Sequence, residues 1–200
     1  MITMQRALDE AMEIAMTPKA DLQPADNEHV AERLRQMAKA GYRPSPEAFA
    51  AVRDYLTGYG LLLTGEAGVG KTMLIRCLNI RIYMAENIIE YGLSRMSGWY
   101  DWTDGHEICI DDFGAERIVA EYGAKDEVLR AVIVHRSDRQ SARTHVTTNL
   151  TAEQISERYG DRVLSRLLGM CKAHTIKGHN QRVAVPYSKH ATLSTAEDGL

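Results

Sequence analysis

The spacing of apolar and polar residues divides the chain into helical and extended stretches. Residues 28–40 place Val30, Leu34 and Met37 four and three apart, one face of a helix that Gly41 ends. Ser45, Pro46 and Glu47 then read as N-cap, first turn and first-turn acid of a helix running to about Leu56, with Gly58 as its stop. Gly60–Thr64, GLLLT, is a short apolar run that fits a buried parallel strand. The pattern predicts a long apolar helix over 71–85 and a second strand at Asn87–Tyr91. Glu107–Ile110 reads as a third strand and Lys125–His135 as a helix carrying Val128, Leu129, Val132 and Ile133. A fourth strand at His145–Thr148, a helix over Ala152–Leu168 and a fifth strand at Ala173–Ile176 complete the series. Strands alternating with helices predict an α/β fold with a mostly parallel five-stranded sheet covered on both faces.

The flanks differ from this central pattern. Residues 4–16 fit a short amphipathic helix, and Thr17–Asn27, with Pro18 and Pro24, reads as a linker. The expected organisation is a helical arm and linker over 1–43, an α/β domain over 44–186 and a loose polar tail over 187–200.

Composition narrows the setting. No run approaches the ~18 apolar residues of a membrane span, and the acids Asp9, Glu10 and Glu13 interrupt any signal-peptide core. Cys77, Cys109 and Cys171 are widely spaced and odd in number; Cys77 and Cys109, in apolar stretches, read as buried thiols. The cytoplasm is the expected compartment. A net charge of −3 and a pI near 6.2 do not mark a dedicated nucleic-acid module, so any DNA contact rests on a local patch.

Candidate chemistry lies at the strand ends. Gly65-Glu66-Ala67-Gly68-Val69-Gly70-Lys71-Thr72 matches G-x-x-x-x-G-K-[ST] at every defined position, between a predicted strand and a predicted helix. Its glycines let backbone N–H groups turn inward toward phosphate oxygens, Lys71 supplies a point charge, and Thr72 offers a hydroxyl to Mg²⁺. This predicts binding of a nucleoside triphosphate, ATP, with magnesium. Ile108-Cys109-Ile110-Asp111-Asp112 is an apolar strand ending in two carboxylates, expected beside the P-loop strand. Asp111 is the candidate magnesium ligand and Asp112 the group that polarises an attacking water; strand-end aspartates can also cap a following helix.

Over about residues 58–182 the sequence resembles the DnaC/DnaI/IstB-like AAA+ ATPases, the helicase loaders and transposition helper ATPases. GLLLTGEAGVGKT looks like their Walker A, ICIDDFGAE like Walker B, THVTTNL like the sensor I strand, ERYGDRVLSRLLGM like the box VII helix and GHNQR like the terminal G-x-S-[YF]-R element. The resemblance implies that Asn149 orients the hydrolytic water and that Arg166 is an arginine finger acting on a neighbouring subunit, with Arg162 one turn earlier as its substitute. It implies that Arg182 contacts nucleotide in its own subunit. Both arginines of the helix can equally form a solvated face with Glu157 and Asp161. A nucleotide-dependent homo-oligomer is then expected, with a replicative helicase or a transposase as partner and DNA, single-stranded in the first place, as a further one. Trp99, Tyr100 and Trp102 either stack on bases or pack a loop onto the core. Two readings of other classes remain: a nucleotide-binding adaptor that does not turn over, and a P-loop small-molecule kinase.

Overall fold

A computed structural model describes residues 27–93, 105–116, 124–140 and 142–182. The expected helix over 4–16, most of the linker, the aromatic cluster at Trp99–Trp102 and the polar tail lie outside the described residues. Helix α1 spans Asn27–Lys39 and α2 Pro46–Leu56; strand β1 is Gly60–Thr64, α3 Lys71–Cys77, β2 Arg81–Met84 and α4 Ala85–Leu93. Then follow β3 Ile108–Phe113, α5 Ala124–Arg139, β4 Thr144–Thr148, α6 Ala152–Tyr159, α7 Asp161–Met170 and β5 Cys171–Thr175.

The five strands form one sheet in the order β2-β3-β4-β1-β5, and every pairing is parallel. The expected adjacency of the P-loop strand and the acidic strand is therefore corrected: β4 lies between β1 and β3. Each strand sends alternate side chains to opposite faces. Leu62, Ile108 and Ile110 pack with α4, α5, α6 and α7 in one core, while Leu61, Leu63 and Cys109 pack with α1, α2 and α3 in the other. Val30, Met37 and Tyr42 belong to that second core, so the described part of the N-terminal arm packs onto the sheet domain.

The second strand is also corrected. The helix after the P-loop ends at Cys77, Asn79 turns the chain at φ 61°, and Arg81–Met84 is the strand; the Asn87–Tyr91 stretch lies in a helix. The helix expected over Ala152–Leu168 is two helices separated at Gly160 (φ 87°, ψ 155°). Thr151 caps the first of them by a capping box with Gln154. Ser45 holds the N-cap position of α2 without a side-chain cap bond. All three cysteines are free; Cys109 and Cys171 are buried, but Cys77 is only half-buried. No helix among the described residues is long and apolar enough to cross a membrane.

Candidate functional site

In a parallel sheet the carboxyl ends of the strands carry the loops that can reach a ligand. Here the carboxyl ends of β1, β3 and β4 open on a cleft of about 660 Å³. Ala67, Gly68, Gly70, Lys71 and Thr72 line it from the loop after β1, Asp111 and Asp112 from β3, Asn149 from the end of β4 and Arg182 from the C-terminal side. Of the remaining P-loop residues, Gly65 and Glu66 contact Lys71 through their carbonyls, and Val69 is buried behind the loop.

Lys71 is buried, and its Nζ donates to Gly65 O, Glu66 O and Asn149 Oδ1, each at 2.7 Å. An ammonium can only donate, so the atom that Asn149 turns to it is the oxygen, and the amide NH₂ remains to donate elsewhere. Burial pushes the Lys71 ammonium down from its ordinary value, the carboxylates of Asp112 and then Asp111 pull it up, and Arg182 adds to the lowering. Thr72 Oγ1 donates to both oxygens of the Asp111 carboxylate, at 2.9 and 3.1 Å. Asp111 is 2% exposed.

Asp111 and Asp112 are consecutive in a strand, and a regular strand would aim them at opposite faces. A bulge resolves this. The register of β3 on β4 shifts between Ile110 and Phe113, and Asp112 takes a left-handed conformation with φ 55°. Aspartate tolerates that region better than most residues, and strain of this kind concentrates at functional sites. Both carboxylates thereby line the same cleft.

Sequence reasoning missed the residues that hold the bulge. Thr147 Oγ1 donates to Asp111 Oδ1 at 2.5 Å and accepts from the Asp112 N–H at 3.0 Å, so one hydroxyl fixes both acids. Thr148 Oγ1 donates to Phe113 O and accepts from Leu150 N. The signal was two threonines directly before Asn149, at the end of a strand where every residue is buried. Beyond the bulge, the buried carboxylate of Glu116 accepts from Gly114 N at 2.9 Å, from the Tyr159 hydroxyl and from Arg158, while Arg158 also donates to Gly114 O at 2.6 Å. The end of α6 is thus tied to the turn that follows the two acids.

Arg166 is not brought to the cleft. Its guanidinium pairs with Asp138 near the end of α5. Arg162, one turn earlier on α7, is exposed. Neither arginine lines the cleft, whereas Arg182 does.

A strand, a glycine-rich loop and a helix, with an acidic strand one place removed across the strand that leads into Asn149, make up a P-loop α/β fold with a parallel five-stranded sheet. Among solved structures the chain is similar to the crystal structure of the DnaC helicase loader, with 20% identity and a TM-score of 0.47 over 82% of this chain and 98% of that one. It is likewise similar to the crystal structure of DnaI, with 21% identity and a TM-score of 0.49 over 85% of this chain and 93% of that one. No protein-family model and no curated protein matches the sequence.

Proposed function

We propose that the protein binds ATP and hydrolyses it with magnesium, as a helicase-loader type AAA+ ATPase acting in the DNA replication of a phage or mobile element. The observation that carries the reading is the convergence of Lys71, the Thr72–Asp111 pair, Asp112, Asn149 and Arg182 on one cleft. The loop from Gly65 to Thr72 would cradle the phosphates, with Lys71 exchanging carbonyl partners for β- and γ-phosphate oxygens. A hydroxyl and a carboxylate 2.9 Å apart are a hard-oxygen pair of the kind that suits Mg²⁺, which keeps several waters of its own. Thr72 and Asp111 would hold it, and its chemistry there is to neutralise charge on the phosphate oxygens. Asp112, half-buried at the cleft, accepts a proton from the attacking water, and the free NH₂ of Asn149 donates toward that water or the γ-phosphate.

The helicase-loader reading is supported by the ordered run of motifs from GLLLTGEAGVGKT to GHNQR. A replicative helicase is then the partner, and single-stranded DNA a second one. With the same motifs, a transposition helper ATPase engaging a transposase and target DNA differs only in that partner. Pull-down with ATP present, asking which of the two is retained, separates them. Arg166 supports an inter-subunit site, because within one chain it is held by Asp138 away from the cleft. Release from Asp138 on assembly would let it reach a neighbour's γ-phosphate. Protomers alone should then hydrolyse slowly. Mixing Lys71→Ala with Arg166→Ala protein should restore part of the activity, since one intact interface can form; absence of rescue at every ratio removes the trans arginine.

A further inference from the structure

A phosphate cradle requires successive N–H groups to face inward, which turns the carbonyls of the same peptide units outward. Those carbonyls need donors of their own. Two of them find both donors in one residue. The backbone N–H of Gln181 donates to Gly68 O at 2.8 Å, and its Nε2 donates to Val69 O at 3.1 Å. A side-chain amide has two N–H bonds. The second goes to Arg43 O, also at 3.1 Å, in the turn between α1 and α2.

Packing reinforces these bonds. A Cβ on Gly68 (φ 86°) would lie 2.2 Å from Asn180 Oδ1, so the Asn180 side chain occupies the space that only a glycine leaves open. A Cβ on Gly70 would lie 3.0 Å from both Gln181 Nε2 and the Tyr42 ring. Asn180 Oδ1 also accepts from Arg182 N at 2.9 Å, which sets the start of the residue that reaches the cleft. One short segment therefore touches the back of the loop, the N-terminal turn and the base of Arg182.

We infer that Gln181 is a positioning residue, a clasp that holds the phosphate loop in its binding shape and couples phosphate engagement to the turn that carries helix α1. This rests on the reading that the loop binds a nucleoside triphosphate. Through the clasp, loading of the cleft is felt at Gly41–Arg43, at the foot of the N-terminal arm.

The test uses the full chain with Gln181→Met, which keeps length and removes both side-chain donors while the backbone N–H to Gly68 O stays, and Gln181→Glu, which turns an anion on two carbonyls. Gln181 is half-exposed, and thermal melts check that both variants fold. ATP affinity is measured by titration, hydrolysis by steady-state kinetics, and hydrogen exchange at Gly41–Arg43 with and without ATP and Mg²⁺. Gln181→Met should weaken ATP binding about tenfold, the effect of two neutral hydrogen bonds, and lower kcat less than about twofold. Gln181→Glu should weaken binding further. In the wild type nucleotide should slow exchange at Gly41–Arg43, and in Gln181→Met that response should vanish. Wild-type affinity in both variants, or an unchanged exchange response, overturns the clasp. Lys71→Ala is the control: if it binds ATP as well as the wild type, the phosphate-loop reading itself fails, whereas a Lys71→Ala defect beside a normal Gln181→Met sinks the clasp alone.

Discussion

The two ends of the sheet are both rich in buried polar groups, yet they are built on opposite principles. At the amino ends of β3 and β4, each group has a fixed partner inside the fold. Buried Arg136 donates to Thr144 Oγ1 and to the carbonyls of His106, Ala142 and Arg143. His145 accepts the Leu61 N–H at Nδ1, 3.2 Å away, and its Nε2 lies 2.9 Å from Glu107, which Arg143 also holds at 2.8 Å. At the carboxyl ends, Lys71 bonds to Asn149 and to the carbonyls of Gly65 and Glu66, and Thr72 bonds to Asp111, around an open cleft that Asp112 also lines. Polar groups paired with fixed partners inside the fold hold a structure; polar groups that face a ligand cleft can exchange partners, and exchange is what binding and catalysis need.

Substitutions should therefore dissociate stability from activity according to the end of the sheet they touch. The largest effect is expected from Asp112→Asn. Hydrolysis should fall by about 10²–10⁴-fold, the usual contribution of a general base. Folding should be spared, because asparagine also accepts the left-handed backbone. Single-turnover kinetics with a thermal melt checks both, and a variant that hydrolyses normally removes Asp112 from the reaction. Arg136→Ala should do the reverse, leaving several buried carbonyls without their donor at a cost of about 3 kcal/mol of stability. Denaturant unfolding should report that loss while ATP affinity of the folded fraction stays normal.

Lys71→Ala should weaken ATP binding by about a hundredfold, as loss of charge-assisted bonds to phosphate predicts. Its stability should move by less than about 1 kcal/mol, because the variant also relieves a buried charge. Titration beside a melt would break the comparison if the protein instead unfolded.

The smallest effect concerns acid. Burial lowers His145 below its ordinary 6.5 despite the upward pull of Glu107. The unfolded chain then takes up a proton before the folded one does, and a protonated Nδ1 can no longer accept from Leu61 N. The stability that His145 contributes is complete above pH 6.5 and drains as pH falls from there toward its depressed folded value. The Glu107 carboxyl, lowered chiefly by its hydrogen bond to His145, acts in the same sense below 4.5. Between pH 7.5 and 5.5, His145→Gln should lose less Tm than the wild type; a larger loss would reverse the assignment.

Much of this contrast was legible in the sequence at one end only. Gly65–Thr72 and Asp111–Asp112 carry their chemistry in consecutive residues, so motif and strand pattern place them together. The partners at the other end do not. His145 meets Leu61 and Glu107 only through strand order, which local periodicity does not encode. The same limit hid Thr147, Glu116 and Gln181. The second strand was misread for another reason: Leu74, Ile75, Leu78, Ile80 and Ile82 continue an apolar run through a turn made by Asn79, with no glycine or proline to mark it. Ile88 and Ile89 then mimic a strand while packing as a helix. Gly160, by contrast, was a visible break inside the helix expected over 152–168.

Strand β1 pairs only with β4 and β5, so Leu62 must wait for Val146 and Ala173 before it has neighbours. Strand β1 is made early and completed late. During synthesis its apolar GLLLT run leaves the ribosome well before its pairing strands exist, and long-range parallel pairing of this kind folds slowly. The phosphate loop hangs from that strand. On the proposed reading, the newborn chain would take up nucleotide only after nearly all of its described residues have emerged, and a chain truncated before β5 should become a substrate for chaperones or proteases.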